Sequence, residues 1–443
     1  MSANIRELVA SIPQHTRLLF LLIVIGVATT HAAPQSWNDQ SRIATVQSLV
    51  EEGSFAIDNS AFVTSGDKVF INGHFYSDKP PIPSVLGAAV YLPLYRAGFE
   101  LHQGASVPYY FVTLLTVKLL WILGTVAFFY SLKFTGLTAE KRFLASLMLS
   151  LGSLYFSWSA TFNDHSIAAA SLSIGFCFFL KARFQGKVNL HLSVAAFFWL
   201  LAGTADMPTG IFYALFLLYV LYDPRLRSGL LFYVLPLLVT VLPALVMTYS
   251  IHHSIVPVQL VKSYFQYPGS PWIGSDELSG MHINGGRFFL TYSLLALVGP
   301  RGFLLYNPIL AIALWGLVRT IRQRGPFFYE GIIVSVGTGV LVLYYFLFTT
   351  NYGGDSYSIR WFVPLLPLLF FFLYPYLEGY DRARAHWLRA LLVVSVVIAF
   401  VGLINPWSHI NYYGSVPFMA NIVELKRELI PNWVIFQHPA GPD

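Results

Sequence analysis

The sequence predicts an all-α integral membrane protein, a polytopic bundle of about eleven transmembrane helices with further helices at the outer interface. Three observations predict it. Of 443 residues, 56% are hydrophobic and 11% charged, and the mean hydropathy is +0.61, a composition suited to lipid rather than water. The apolar residues come in runs close to the roughly 20 needed to cross a bilayer. Lys and Arg collect in alternate loops between those runs while Asp and Glu collect in the others. The net charge of +6 therefore reports topology and not a nucleic-acid surface. Cys177 is the only cysteine and lies in an apolar run, so a disulfide and a Cys-based metal site are both excluded.

In chain order, a short polar N-terminus carrying Arg6 and Arg17 precedes an apolar anchor over 18–33. The competing reading of that segment is a cleaved signal peptide, because small residues cluster at Thr29 to Ala33. A polar first outer loop, 34–108, follows. In it, Asp39 to Glu52 places Ile43, Val46, Leu49 and Val50 at helical spacing, which predicts an amphipathic helix lying on the membrane surface. The apolar piece 82–99 contains Pro83 and Pro93. Letting it cross would put most basic loops outside, so it is read as a surface or re-entrant helix.

The remaining spans fall at 109–131, 143–162, 166–182, 190–205, 207–222, 229–251, 303–320, 328–349, 361–378 and 388–405. The loops this model places inside hold Lys133, Lys141, Arg142, Lys181, Arg183, Lys187, Arg225, Arg227, Arg319, Arg322 and Arg324. The outside ones hold Asp39, Asp58, Asp67, Asp78, Asp164, Asp206, Asp276, Glu277 and Asp355. Orientation follows: N-terminus cytoplasmic, with a second outer loop at 252–302 and an outer C-terminal tail at 405–443, most simply in a bacterial inner membrane. The chain reads as one transmembrane domain, 1–443. Lys118 falls inside a span with no partner visible in the sequence, and an intramembrane charge is a functional hint.

The chemistry concentrates on the outer side. The first loop carries Trp37-Asn38-Asp39-Gln40-Ser41-Arg42, then a glycine-ended helix Leu49-Val50-Glu51-Glu52-Gly53, then Asn72-Gly73-His74-Phe75-Tyr76-Ser77-Asp78-Lys79-Pro80-Pro81. This order resembles the first-loop signature of membrane glycosyltransferases of the GT-C fold class, and within it glycosyltransferase family 39 with the protein O-mannosyltransferases and lipid A aminoarabinose transferases. The likeness runs through about the first 180 residues; later, Gly299-Pro300-Arg301-Gly302 and the segment Gly353 to Trp361 match only loosely. Gln40 stands where that family often has Glu.

The resemblance implies sugar transfer at the outer face from a polyprenyl-phosphate donor to a lipid, glycan or protein acceptor, usually with inversion. Polyprenyl phosphate leaves readily when cations hold its charge, so such a site needs a carboxylate to take the acceptor's proton and fixed positive charge at the phosphate. On this basis Asp39 is the expected general base and Lys79, Arg301 and Arg360 the expected phosphate ligands. Asp164 matches the second acidic position of the class, which orients the acceptor or, in some members, holds a divalent cation. Arg42, Asp78, His165 and Tyr264 complete the expected substrate contacts. No cofactor and no metal-ligand set is assigned: His252, His253 and His282 do not have the spacing of a closed zinc site.

Each residue has a plainer reading. A carboxylate at a helix end caps it, an interfacial Arg snorkels to lipid phosphate, and Tyr264, Phe265, Tyr267 and Trp272 suit a membrane interface as well as a sugar ring. Two other functions compete. A transporter or flippase of lipid-linked saccharides would put its ionisable residues near the bilayer midplane on broken helices. A polymerase or ligase would lean on the 252–302 loop.

Overall fold

The computed structural model describes residues 12–275, 283, 285–379, 382–408 and 416–427. Asp276, Glu277 and His282 of the second outer loop, and most of the 405–443 tail, lie outside the described residues.

The chain opens with α1, Gln14–Thr29, four residues earlier than the expected anchor because Pro13 starts the helix and Thr30 leaves it in extended conformation. Ser36 then caps α2, Trp37–Glu51, its Oγ accepting from the backbone N–H groups of Asn38 and Asp39. A β-hairpin follows, β1 Lys68–Ile71 paired antiparallel with β2 His74–Ser77. Asn72 and Gly73 sit at its turn with φ of 50° and 91°, the two positive values that a tight hairpin turn requires. Helix α3, Pro81–Arg96, starts on its proline.

These pieces form a cap with its own apolar core, in which Ile43 and Val46 of α2 meet Ile57, Phe62, Tyr91, Tyr109 and Phe162. A Cβ at Gly87 would stand 2.8 Å from Val46 Cγ2, so the missing side chain lets α2 and α3 touch. The expectation of a surface helix with a wet polar face is corrected here. Asn38, Asp39, Ser41, Arg42, Thr45, Gln47 and Ser48 are all buried, because the hairpin, α3 and the membrane helices cover both faces. Helix α3 is not among the helices long and apolar enough to cross.

The bundle proper comprises α4 Val107–Thr135, α5 Ala139–Ser150, α6 Asp164–Gln185, α7 Val188–Ala205, α8 Met207–Tyr222 and α9 Leu230–His252. It continues with α10 Gly286–Val298, α11 Leu310–Gln323, α12 Phe328–Phe348, α13 Arg360–Glu378, α14 Arg382–Ile404 and α15 Pro417–Arg427. Helix α6 is its axis, with 78% of its apolar window buried, against 17% for the lipid-facing α9. Small residues let neighbours reach it: a Cβ at Gly175 would stand 2.5 Å from the Trp199 ring, and one at Gly124 would stand 2.8 Å from Ala170 Cα. Arg183 pairs with Glu330 between the far ends of α6 and α12.

Seven described helices are long and apolar enough to cross, or eight if α5 and Leu154–Ala160, bent by 61°, form one span. The expected eleven are thus not reached on length and composition. The expected spans 18–33 and 207–222 correspond to the shorter apolar helices α1 and α8. The expected span 303–320 is replaced by α11, because the chain turns through Gly302 and Asn307-Pro308 before the helix begins; Asn307 Oδ1 accepts there from the Leu154 amide at 2.9 Å. Lys118, buried beside α1, donates to Thr29 Oγ1 (3.1 Å) and Ser159 Oγ (2.8 Å), with its ammonium 5.0 Å from the Trp121 ring. Neutral hydroxyls and an aromatic face thus supply the partners that the sequence did not reveal.

Candidate functional site

A cavity of about 940 Å³ opens between the cap and the bundle. Charged side chains reach its wall from many elements: Arg42 from α2, Asp67 before β1, Asp78 and Lys79 after β2, and Asp164 and His165 from the start of α6. Asp206 comes from the α7–α8 turn, Arg301 from the turn after α10, Asp355 from the loop after α12, and Arg360 from the start of α13.

Most of these charges are already paired. Arg42, 1% exposed, meets Asp164 Oδ2 at 2.6 Å and donates its other terminal nitrogen to the side-chain and backbone oxygens of Asn38. Lys79 sits between Asp67 (2.9 Å) and Asp78 (2.7 Å). Burial alone would raise the Asp67 pKa, but Lys79 overrides it and holds that carboxyl below its usual range. Burial keeps Asp78 raised in spite of the same ammonium. Lys79 itself is raised, because the two carboxylates outweigh its own desolvation. His165 Nδ1 lies 2.8 Å from Asp206 Oδ2. Burial raises the Asp206 pKa, and His165 pulls it back in part.

Two cations differ. Arg301 spends one terminal nitrogen on the Gly354 carbonyl at 2.8 Å and lies over the Tyr352 ring. Arg360 makes no hydrogen bond or ion pair with a described residue; its guanidinium stands 4.7 Å from the centre of the Trp407 ring, with Nε buried and unpaired. A planar cation held by an aromatic face, with its donors turned to a cavity, is a receptor for an oxyanion.

Three expectations are corrected. Asp39 does not line the cavity. Its side chain is fully buried and accepts from Ser36 Oγ (2.5 Å), Thr161 Oγ1 (2.6 Å), the Gln35 amide (3.1 Å) and Tyr109 OH (3.2 Å). Burial raises its pKa against those bonds. So placed, it locks the start of α2 to α4 and to the Thr161 turn, and in this geometry it is not positioned to meet an acceptor hydroxyl. Lys79 is in the wall, but its two carboxylates leave it little positive charge to offer a phosphate. Tyr264 is turned away to His252 Nδ1 (3.4 Å), while its neighbour Phe265 and Trp272 line the cavity. Trp272 also bonds the Gly66 carbonyl at 2.9 Å, tying the second outer loop to the first.

Arg42, Asp78, Asp164, His165, Arg301 and Arg360 are brought together as expected. Asp67, Asp206 and Trp407 were missed as site residues. The acidic turn around Asp206 was a readable signal for one of them; nothing in the sequence pointed to Trp407. The residues do not fit a divalent cation. Among the described residues no group of three His, Cys, Asp or Glu side chains converges on one point, and in both carboxylate clusters a side-chain cation, Lys79 or Arg42, already holds the central place.

No protein-family model and no curated protein matches the sequence. Among solved structures, ArnT from Cupriavidus metallidurans bound to undecaprenyl phosphate aligns over 93% of this chain and 74% of its own, at 13% identity and a TM-score of 0.56. The same protein in the apo state aligns over 96% and 75%, at 15% identity and a TM-score of 0.54. At such identity the likeness is one of fold: the chain is an integral membrane protein with a GT-C-type architecture.

Proposed function

We propose that this protein is a membrane glycosyltransferase that moves a sugar from a polyprenyl-phosphate donor to a lipid, glycan or protein acceptor inside the cap-covered cavity. The observation that carries the reading is Arg360, a guanidinium without a protein partner in a wall where the other acids and bases are largely paired. Arg301, with donors to spare, stands in the same wall. The two would hold the phosphate while the bond from sugar to phosphate breaks, stabilising the charge that develops on the leaving group. ArnT, the neighbour in fold, has been solved with undecaprenyl phosphate bound, which supports a polyprenyl phosphate over a soluble nucleotide sugar. Asp164, Asp78 and the aromatic surfaces of Phe265 and Trp272 would then position sugar and acceptor.

The transporter reading is less well supported. Asp164 and Arg360 are the first residues of their helices and Asp206 lies between two, so the ionisable groups stand at helix ends and not at mid-span. Lys118, the mid-span exception, is not in the cavity wall.

The test is transfer of labelled sugar from a polyprenyl-phosphate donor by purified protein in lipid, with Arg360→Ala as the control. Turnover that vanishes in the variant supports the reading; wild-type protein that carries labelled lipid across a vesicle without cleaving it would move it to the transporter. Orientation has its own check. His74, on the cap hairpin, and Arg225, on the opposite side, have exposed side chains, and Cys177 is buried. A cysteine replacing His74 should react with an impermeant thiol reagent from outside the cell, and one replacing Arg225 only from inside.

A further inference from the structure

The reaction just proposed needs a group in the cavity wall that accepts the acceptor's proton, and this inference rests on that reading. We propose that the group is His165, through Nε2, with Asp206 as its positioning residue.

The geometry is that of an oriented imidazole. Nδ1 lies 2.8 Å from Asp206 Oδ2, so the carboxylate takes the Nδ1 proton and leaves Nε2 with its lone pair. Nε2 has no hydrogen-bond partner among the described residues; Asp164 Oδ1 is nearest at 3.6 Å, too far to bond but close enough to steady an imidazolium. Both members of the pair are in the cavity wall and nearly buried, at 5% exposure each. Asp206 is fixed in turn by its backbone, whose N–H donates to Ala202 and whose carbonyl accepts from Thr209.

The carboxylates in the wall are poorer acceptors. Asp164 is held by Arg42, and Asp67 and Asp78 share Lys79. Asp355 is exposed on a glycine-bearing loop with no described partner to orient it. In the step itself, an acceptor hydroxyl gives its proton to Nε2 as its oxygen forms the bond to the anomeric carbon. The bond from that carbon to the phosphate oxygen breaks, and its electron pair leaves on polyprenyl phosphate. The imidazolium then loses its proton to water.

A structural pair merely tying α6 to the α7–α8 turn would have the same distances, so the test must separate the two. His165→Gly is expected to lower kcat about 100-fold or more, the ordinary worth of a general base, with polyprenyl-phosphate binding within about twofold of wild type. Added imidazole is expected to restore part of that rate in His165→Gly and none in Asp206→Asn, which should lose kcat and not KM. A structural role would show no rescue. Diethyl pyrocarbonate on the wild-type protein gives a reading independent of folding. Loss of activity should track ethoxycarbonylation of His165 by mass spectrometry, and acceptor should protect it. Modified His165 with full activity, or a folded His165→Gly that is inactive and not rescued, would overturn the proposal, as would Asp355→Asn reproducing the kinetic loss while His165→Gly remains active. Absence of any sugar transfer by the wild type would instead remove the parent reading.

Discussion

Arg360 and Lys79 are both cations in the cavity wall, and their surroundings predict opposite consequences of deletion. Arg360→Ala removes a guanidinium that bonds to no described residue, so it leaves no protein group unpaired beyond the face of Trp407. Its cost to stability should stay near the roughly 0.5–2 kcal/mol of a cation–π contact. A charge-assisted hydrogen bond to phosphate contributes about 1.5–3 kcal/mol, and each 1.4 kcal/mol is about tenfold in Kd. Arg360→Ala should therefore weaken polyprenyl-phosphate binding about 10- to 100-fold. Lys79→Ala strands Asp67 and Asp78, both in a nearly dry setting. Removing one partner of a buried pair costs about 3–5 kcal/mol; the 14% exposure of the Lys79 side chain puts the loss at the lower end. Thermal unfolding in detergent, measured beside lipid binding by tryptophan quenching or calorimetry, separates the two variants. Wild-type affinity in Arg360→Ala, or wild-type stability with lost affinity in Lys79→Ala, would refute the reasoning.

Three more outcomes follow from individual contacts. Asp39→Asn keeps the shape of the side chain but turns one acceptor oxygen into a donor among four donors; it should cost about 1–3 kcal/mol in unfolding with kcat changed no more than a few-fold, and a stable but inactive variant would return Asp39 to the reaction. Gly316→Ala would place a Cβ 1.9 Å from the Phe372 carbonyl oxygen, a backbone clash between α11 and α13 that should lower stability by about 1–3 kcal/mol, read as a fall in the thermal midpoint. Lys79 has a pKa raised above the ordinary 10.5, so its contribution to stability is fully present below that value and is lost as pH rises through the higher folded-state value. The gap in thermal midpoint between wild type and Lys79→Met should hold steady up to pH 10.5 and narrow beyond it; a gap that narrows already between pH 7 and 9 would contradict the pairing.

The membrane class, most of the spans and the cap between α1 and α4 could all be read from hydropathy, charge bias and the polar first loop. The hairpin was legible too: Asn72-Gly73 between two apolar-rich strands is a strong turn signal, overlooked because the surrounding motif drew attention to Lys79. What could not be read is where side chains point once distant segments meet. Asp39 is turned from the cavity by Tyr109 and Thr161, 70 and 122 residues away in the chain. Lys79 is neutralised by Asp67 only because the hairpin folds back on itself. Arg360 owes its orientation to Trp407, which follows α14. Hydropathy shows none of these contacts, since each joins residues whose local patterns are unrelated.

The central claim is that Arg360 receives the phosphate of a polyprenyl carrier in the cap-covered cavity. An electron cryomicroscopy map of the protein in lipid nanodiscs with undecaprenyl phosphate tests it most directly. The account predicts phosphate density within hydrogen-bonding distance of the Arg360 guanidinium, with Lys79 still held between Asp67 and Asp78. Phosphate bound directly by Lys79 with those carboxylates displaced, or found outside this cavity, would contradict it.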